Sequence, residues 1–334
     1  MSKHKKGHKA AGTTNKTKKS LVKVVVKPDD AGEWIKPNTL DKFYIDDEAN
    51  FPSIEFEIKT DSPGPYKWLW AMSWDANVSG LRERARGKKV AAFSDKNELT
   101  QAGKSWDAKT INKVIGGRLT VTVEVGEEKF RRTVLILGKS PSKEKIDAYV
   151  AQKVAAGSNS NARDGEQDRT TAIATMKKLI QQESQYKHFL NLDSEPIVAF
   201  DKGYGLTQLT SGDPTYVQIW NWKAHIDEAL KRMVGHRASS VKLFNRHADW
   251  PHDDEMIEIN AISLWNGGHY YVPDLVAKKR VRNPQMICVP HEGNKGYKIS
   301  TEEVGKKTLQ ELQADPKRSP SYTGVCYADT IQGL

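Results

Sequence analysis

Cysteine is almost missing from this chain: there are two, Cys288 and Cys326, and no Cys-x-x-Cys pair. That excludes paired-thiolate zinc modules and the disulfide-dense scaffolds of small secreted proteins. In an oxidising compartment the two could close one loop around the last segment; in a reducing one they would stay thiols. Long apolar runs are missing too. No stretch of eighteen apolar residues occurs, so no membrane span is expected. The basic N-terminus is not followed by the apolar core of a secretory signal. Acid is absent from residues 1–20 (MSKHKKGHKAAGTTNKTKKS), which hold seven lysines; setting those aside lowers the net charge from +10 to +3. The basic balance therefore belongs to a tail expected to be disordered, attracted to anionic surfaces in a salt-sensitive way. No basic helix or aromatic RNA motif follows, so no specific nucleic-acid partner is expected.

What is present divides in two. Residues 21–140 alternate apolar and polar residues in LVKVVVK (21–27), SIEFEIK (53–59), YKWLWAMSW (66–74), KVAAFSD (89–95), RLTVTVEV (118–125) and KFRRTVLILG (129–138), with turn clusters between them. This predicts an antiparallel β-sandwich of immunoglobulin size serving binding or docking. Residues 141–168 read as a short helix and a Gly/Ser/Asn/Asp-rich linker. Residues 169–334 turn helical, with apolar residues at three-and-four spacing in ATMKKLIQQESQY, in 216–233 and in 253–268. The last is capped by Asp253-Asp254 and stopped by Gly267-Gly268. An irregular insertion around 283–300 and helices near 301–314 and at the end complete an α+β, two-domain expectation.

Ile173, Met176, Ile180 and Glu183 share one helical face. A carboxylate on a core-facing stripe is costly unless paired or protonated, and burial raises its pKa toward that of a general acid. Downstream, Gly203-Tyr204-Gly205-Leu206-Thr207-Gln208 offers glycines that let backbone approach a ligand, an aromatic face and an amide suited to a sugar. Ala261-Ile262-Ser263-Leu264-Trp265-Asn266-Gly267-Gly268 then delivers Asn266 into a turn. The segment His247–Asp254 offers two histidines and three aspartates, but Pro251 and the paired aspartates read as a loop entering a helix cap, so no metal is expected.

In this order and spacing, Glu-Ser, Gly-x-Gly-Leu-x-Gln and Ala-x-x-x-Trp-Asn-Gly-Gly resemble the soluble lytic transglycosylase and goose-type lysozyme family, over residues 168–275. The resemblance implies a mostly α, lysozyme-like domain that cleaves the β-1,4 bond between N-acetylmuramic acid and N-acetylglucosamine in peptidoglycan, without a cofactor. It implies Glu183 as the catalytic acid. Ser184, Tyr204, Gly205, Leu206, Gln208, Trp265, Asn266 and Tyr270 would be substrate contacts. Thr207 stands where the family has Met, and Trp265 where it has Tyr. The family's late tyrosine finds its counterpart in Tyr327, with Tyr270 or Tyr271 as substitutes, and a Cys288–Cys326 bridge would pin the segment beside it. Asp201, then Asp193, are the candidates to position a water; both also read as turn formers. A cytoplasmic product without a secretory signal would reach the wall by injection, as a type VI secretion effector, or by lysis. Injection implies an immunity protein and a secretion-apparatus component as partners. The rival expectation is a non-catalytic wall-binding or delivery protein using the sandwich and tail.

Overall fold

The computed structural model describes residues 29–79, 85–157, 166–190, 194–210 and 212–333. The basic tail, the expected strand 21–27, Asp193 and linker residues 158–165 lie outside them. Strands β1 (Trp34–Lys36), β3 (Glu55–Ile58) and β6 (Ser105–Asp107) form one antiparallel sheet. A second takes β2 (Lys42–Ile45), β4 (Tyr66–Asn77), β5 (Lys89–Gln101), β7 (Gly117–Val125) and β8 (Glu128–Gly138) in the order β2-β8-β7-β4-β5. Alternation does the work here: every second residue of β4 from Tyr66 to Ala76 is buried, as are Leu119, Val121, Val123 and Val125 of β7. The two sheets share this core, with Trp68 against Trp106 and Trp34 at ring separations of 6.1 and 6.4 Å.

The expected purely antiparallel arrangement needs one correction. β2 runs parallel to β8. The chain passes from β1 in the small sheet to β2 in the large one and back to β3, and such a crossing, unlike a hairpin, leaves strand direction open.

The helical part holds α1 (Lys143–Ala155), α2 (Glu166–Ser184), α3 (Tyr216–Trp220), α4 (Trp222–Phe244), α5 (Asp254–Trp265), α6 (Leu309–Ala314) and α7 (Gly324–Gln332). The single helix expected over 216–233 is two, because the Asn221 side chain accepts from the amides of Lys223 and Ala224 and starts a new helix. Asp253 caps α5 through the Met256 amide, and His247 stacks on Trp250. The expected irregular insertion is built: β9 (Tyr271–Asp274) and β10 (Lys279–Arg282) make a hairpin, and β11 (Met286–Cys288), β12 (Lys295–Lys298) and β13 (Ser321–Tyr322) a small sheet. No helix among the described residues is long and apolar enough to cross a membrane.

The β and α parts are joined through apolar contact. Phe189, Val198, Tyr204, Ile219 and Trp220 belong to the same core as the strands, and Trp220 meets Trp74 edge-on at 5.3 Å. The Trp222 indole donates to Asp47 O, while Glu48 pairs with Lys145 and Lys223. The exposed ion pairs contribute little; the buried aromatic rings, at about 1.5–3 kcal/mol each, dominate the joint.

Candidate active site

Glu183 occupies the last turn of α2, whose Ala172, Met176, Leu179 and Ile180 face the helical core. The helix ends abruptly because Gln185 and Tyr186 both take left-handed backbone, φ 53° and 63°. Such non-glycine positions cost roughly 1–3 kcal/mol each and need support. Tyr186 has it: its hydroxyl donates to Asp147 Oδ1 at 2.9 Å and Lys143 lies 4.7 Å over its ring.

Glu183 as a residue is half-buried, and the protein atoms crowded round its carboxyl push the pKa up to about 7. Burial is the main cause; the nearby Asp201 charge also raises it, and a hydrogen bond from Tyr327 holds it back. Tyr327 Oη donates to Glu183 Oε1 at 2.5 Å across 144 positions of sequence. Burial and the Glu183 charge keep that phenol protonated far above neutral pH, so it remains a donor. A comparison within the same fold shows what is particular here. Glu258 of α5 is also buried, but Arg237 grips it with bonds of 2.6 and 2.8 Å and Thr175 adds a third. No Lys or Arg pairs with Glu183 among the described residues. A crowded carboxyl without a cation, titrating near neutrality, can both deliver and accept a proton.

The other expected residues divide sharply. Asp201 is exposed at the site and also forms a turn, accepting from the Gly203 amide at 3.2 Å. Ser184 is buried and donates to Ile180 O within its own helix rather than to Glu183. Tyr204 is buried against Trp74 and Phe93 and presents no face to a sugar. Leu206 is fully buried in the helical core. The Gln208 amide donates to Gly205 O at 2.8 Å, stitching its own loop. Tyr270 is buried and donates to Asp329 Oδ1, away from Glu183. Trp265 stands edge-on to His236 at 6.0 Å, and Asn266 closes α5.

The physical reason for these corrections is that the glycine loop lies between two cores, with Tyr204 in one and Leu206 and Leu209 in the other. Gly205, at φ +61°, faces not a ligand but two buried histidines; a Cβ there would sit 2.7 Å from His188 Cε1 and 2.9 Å from His225 Cε1. His188 Nε2 donates to Ile219 O and His225 Nδ1 to Gln218 O, while His225 Nε2 accepts from the Thr207 amide and hydroxyl. Thr207 is thus a ligand of His225, which accounts for a small hydroxyl residue there.

Burial holds both imidazoles neutral, His225 down to about 3 and His188 well below its usual value. Unfolded, each would bind a proton near pH 6.5, so the folded state loses stability as pH falls through and below 6.5. In a Glu183→Gln background, where that carboxyl's opposing titration is gone, unfolding free energy is expected to drop by about 4 kcal/mol between pH 7 and 5. Urea titrations at the two pH values measure it; a flat profile would place the histidines in contact with solvent.

Sequence reading also missed Phe200, an aromatic 53% exposed directly before Asp201. Its only sequence signal was an aromatic preceding a charged turn. A concavity of about 290 Å³ in the β part, lined by Ile35, Pro37, Phe43 and Ile54 among others, contains none of the expected site residues. Among the described residues no group of three or more His, Cys, Asp or Glu side chains is placed to hold a metal.

No protein-family model matches this chain, and no curated protein or solved structure matches it.

Proposed function

We propose that this protein is a muramidase that cuts the β-1,4 glycan bonds of peptidoglycan, with Glu183 as its acid. The observation that carries the reading is the Glu183 carboxyl: at a helix end, without a cation, pushed up to about 7 and held by the Tyr327 hydroxyl. With a pKa of about 7, a large share of the molecules carry the acid protonated at neutral pH, and that form donates its proton to the glycosidic oxygen as positive charge grows on the sugar ring. The muramic acid 6-hydroxyl then closes an anhydro ring with Glu183 as base. In the alternative ending a water attacks from the opposite face with inversion, held by Asp201, an arrangement needing carboxyls about 6.5–9.5 Å apart.

In this reading the helical part is a lysozyme-like domain and the β part an immunoglobulin-like docking module. Since the substrate lies outside the cytoplasmic membrane, the protein acts in the periplasm or wall after injection or lysis, and an injecting cell would need an immunity protein. Phe200, exposed and next in sequence to Asp201, is the proposed apolar platform for a sugar face. Phe200→Ala should raise the half-saturating concentration of soluble glycan by roughly fivefold with little change in maximal rate; a fall in maximal rate alone would remove it from the binding surface.

Mass spectrometry of muropeptides released from purified sacculi tests the reaction. Anhydro and reducing ends differ by one water, so the same spectrum separates the two endings. Intact sacculi after prolonged incubation would refute the reading and leave wall binding without cleavage.

A further inference from the structure

Cys288 and Cys326 are joined, with Cα atoms 5.4 Å apart, and the bridge stands one residue from the tyrosine on Glu183. Cys326 and Tyr327 are both 1% exposed on α7. Neighbours on a helix point in different directions. Tyr327 reaches α2 and its acid, while Cys326 reaches β11 and β12. At β12 the approach is so close that a Cβ on Gly296 would lie 2.6 Å from Cys326 Sγ.

Besides the bridge, the lobe on its far side is tied to α7 by the Arg282–Asp329 pair, by Thr323 N donating to Asn294 O and by β13, which leads from β12 into the helix. Its own cluster contains four buried residues, Val289, Tyr297, Ile299 and Leu312, too few to keep an independent fold in place. That lobe also borders the acid. Thr330 Oγ1 of α7 donates to Gly293 O at 2.7 Å, and a Cβ on Gly293 would come within 3.4 Å of the Gln182 side chain, next to Glu183. The hydroxyl on Glu183 is held by the packing of α7 in the helical core and, one residue away, by the bridge to β11; the loop at Gly293 depends on how α7 is fastened to β11 and β12.

We propose that the Cys288–Cys326 disulfide is a redox switch on the Glu183 site, closed in an oxidising compartment and opened by a dithiol reductant. The proposal rests on the muramidase reading for its functional consequence. Cys288 is the half-buried cysteine of the pair and Cys326 the fully buried one, so a dithiol thiolate attacks Cys288 and Cys326 leaves as thiolate. The reductant's second thiol then displaces Cys288 and departs as the oxidised dithiol. The protein has gained two electrons and two protons, as two thiols. Arg282 Nη2, 3.0 Å from Cys288 Sγ, favours the thiolate released there, against the Asp329 carboxylate 3.4 Å from the same sulfur. With the bridge open, α7 loosens from the lobe, Tyr327 loses one of the two restraints that hold it on Glu183, and the loop at Gly293 moves off Gln182. Such a protein would be silent where dithiols keep cysteines reduced and active where they do not.

The test uses the full chain with and without dithiothreitol, the thiol state checked by alkylation and mass spectrometry. Two readouts are taken: muropeptide release from sacculi, and hydrogen exchange of residues 286–298 and 324–332. Reduction should slow release by about a hundredfold, the cost of misplacing a catalytic group. Exchange in both segments should rise by about tenfold or more, and reoxidation should reverse both changes. The double variant Cys288→Ala/Cys326→Ala should match the reduced protein; should it not fold, reduction of the native chain still decides. Unchanged release and unchanged exchange would overturn the switch. If the oxidised protein releases nothing, the muramidase reading fails, and exchange alone decides: protected segments after reduction sink the switch, and loosened ones sustain it.

Discussion

Glu183→Gln should abolish muropeptide release while making the protein more stable above pH 7. Glutamine keeps the shape and an oxygen for the Tyr327 hydroxyl, 2.5 Å away in the native protein, but has no proton to give. Loss of a positioned acid–base group costs about 10²–10⁴ in rate. The stability effect has the opposite sign. A carboxyl raised to about 7 on folding favours the folded state below its unfolded value near 4.5, and loses that contribution as pH rises through 7. At pH 8 the native protein carries a buried charge that the variant lacks. One pKa unit is 1.36 kcal/mol, and solvent at the half-buried residue trims the total, so the variant should gain about 2–3 kcal/mol at pH 8 and almost nothing at pH 4. Denaturant titrations at both pH values read this without any substrate. An equal gain at pH 4 and pH 8 would show that burial does not hold the acid protonated, and retained cleavage would take the acid role from Glu183.

Gly205→Ala decides what the glycine loop is for. If the loop exists to let backbone approach a sugar, the variant should fold normally and bind glycan poorly. The packing leads to the opposite expectation. At φ +61° a side chain is strained, and the new Cβ would lie 2.7 Å from His188 Cε1, 2.8 Å from His188 Nδ1 and 2.9 Å from His225 Cε1. Neither ring can retreat, because both are fully buried and bonded to the carbonyls of Ile219 and Gln218. Left-handed strain of about 1 kcal/mol adds to an overpacking cost of about 1–3 kcal/mol. The expected loss is therefore about 3 kcal/mol of unfolding free energy, with the folded fraction still cleaving at the native rate. Urea unfolding and activity per folded molecule check it; a stable variant with weak glycan affinity would return Gly205 to the ligand.

Much of the architecture was legible in residue order, because strands and helices obey local periods. The alternation of YKWLWAMSW placed its tryptophans inward, and the stripe of Met176, Ile180 and Glu183 put a carboxyl on a core-facing surface. Asp253 announced a helix cap. Short strands β1, β2 and β6 escaped because three or four residues show no measurable period. The break at Asn221 escaped because apolar spacing runs through it undisturbed.

The site was legible only in part. The amino-acid order singled out Glu183 and named Tyr327 and Asp201 as partners to look for. It could not say that Tyr204 and Leu206 are consumed by two different cores, that Tyr270 turns to Asp329, or that about half of Phe200 is exposed. Nor could it say whether two thiols 38 residues apart are joined. Periodicity is a property of neighbouring residues, set by the backbone's own geometry. The meeting of residues 183 and 327 is decided by how α2, α5 and α7 pack, and that depends on side-chain volumes summed over a whole core.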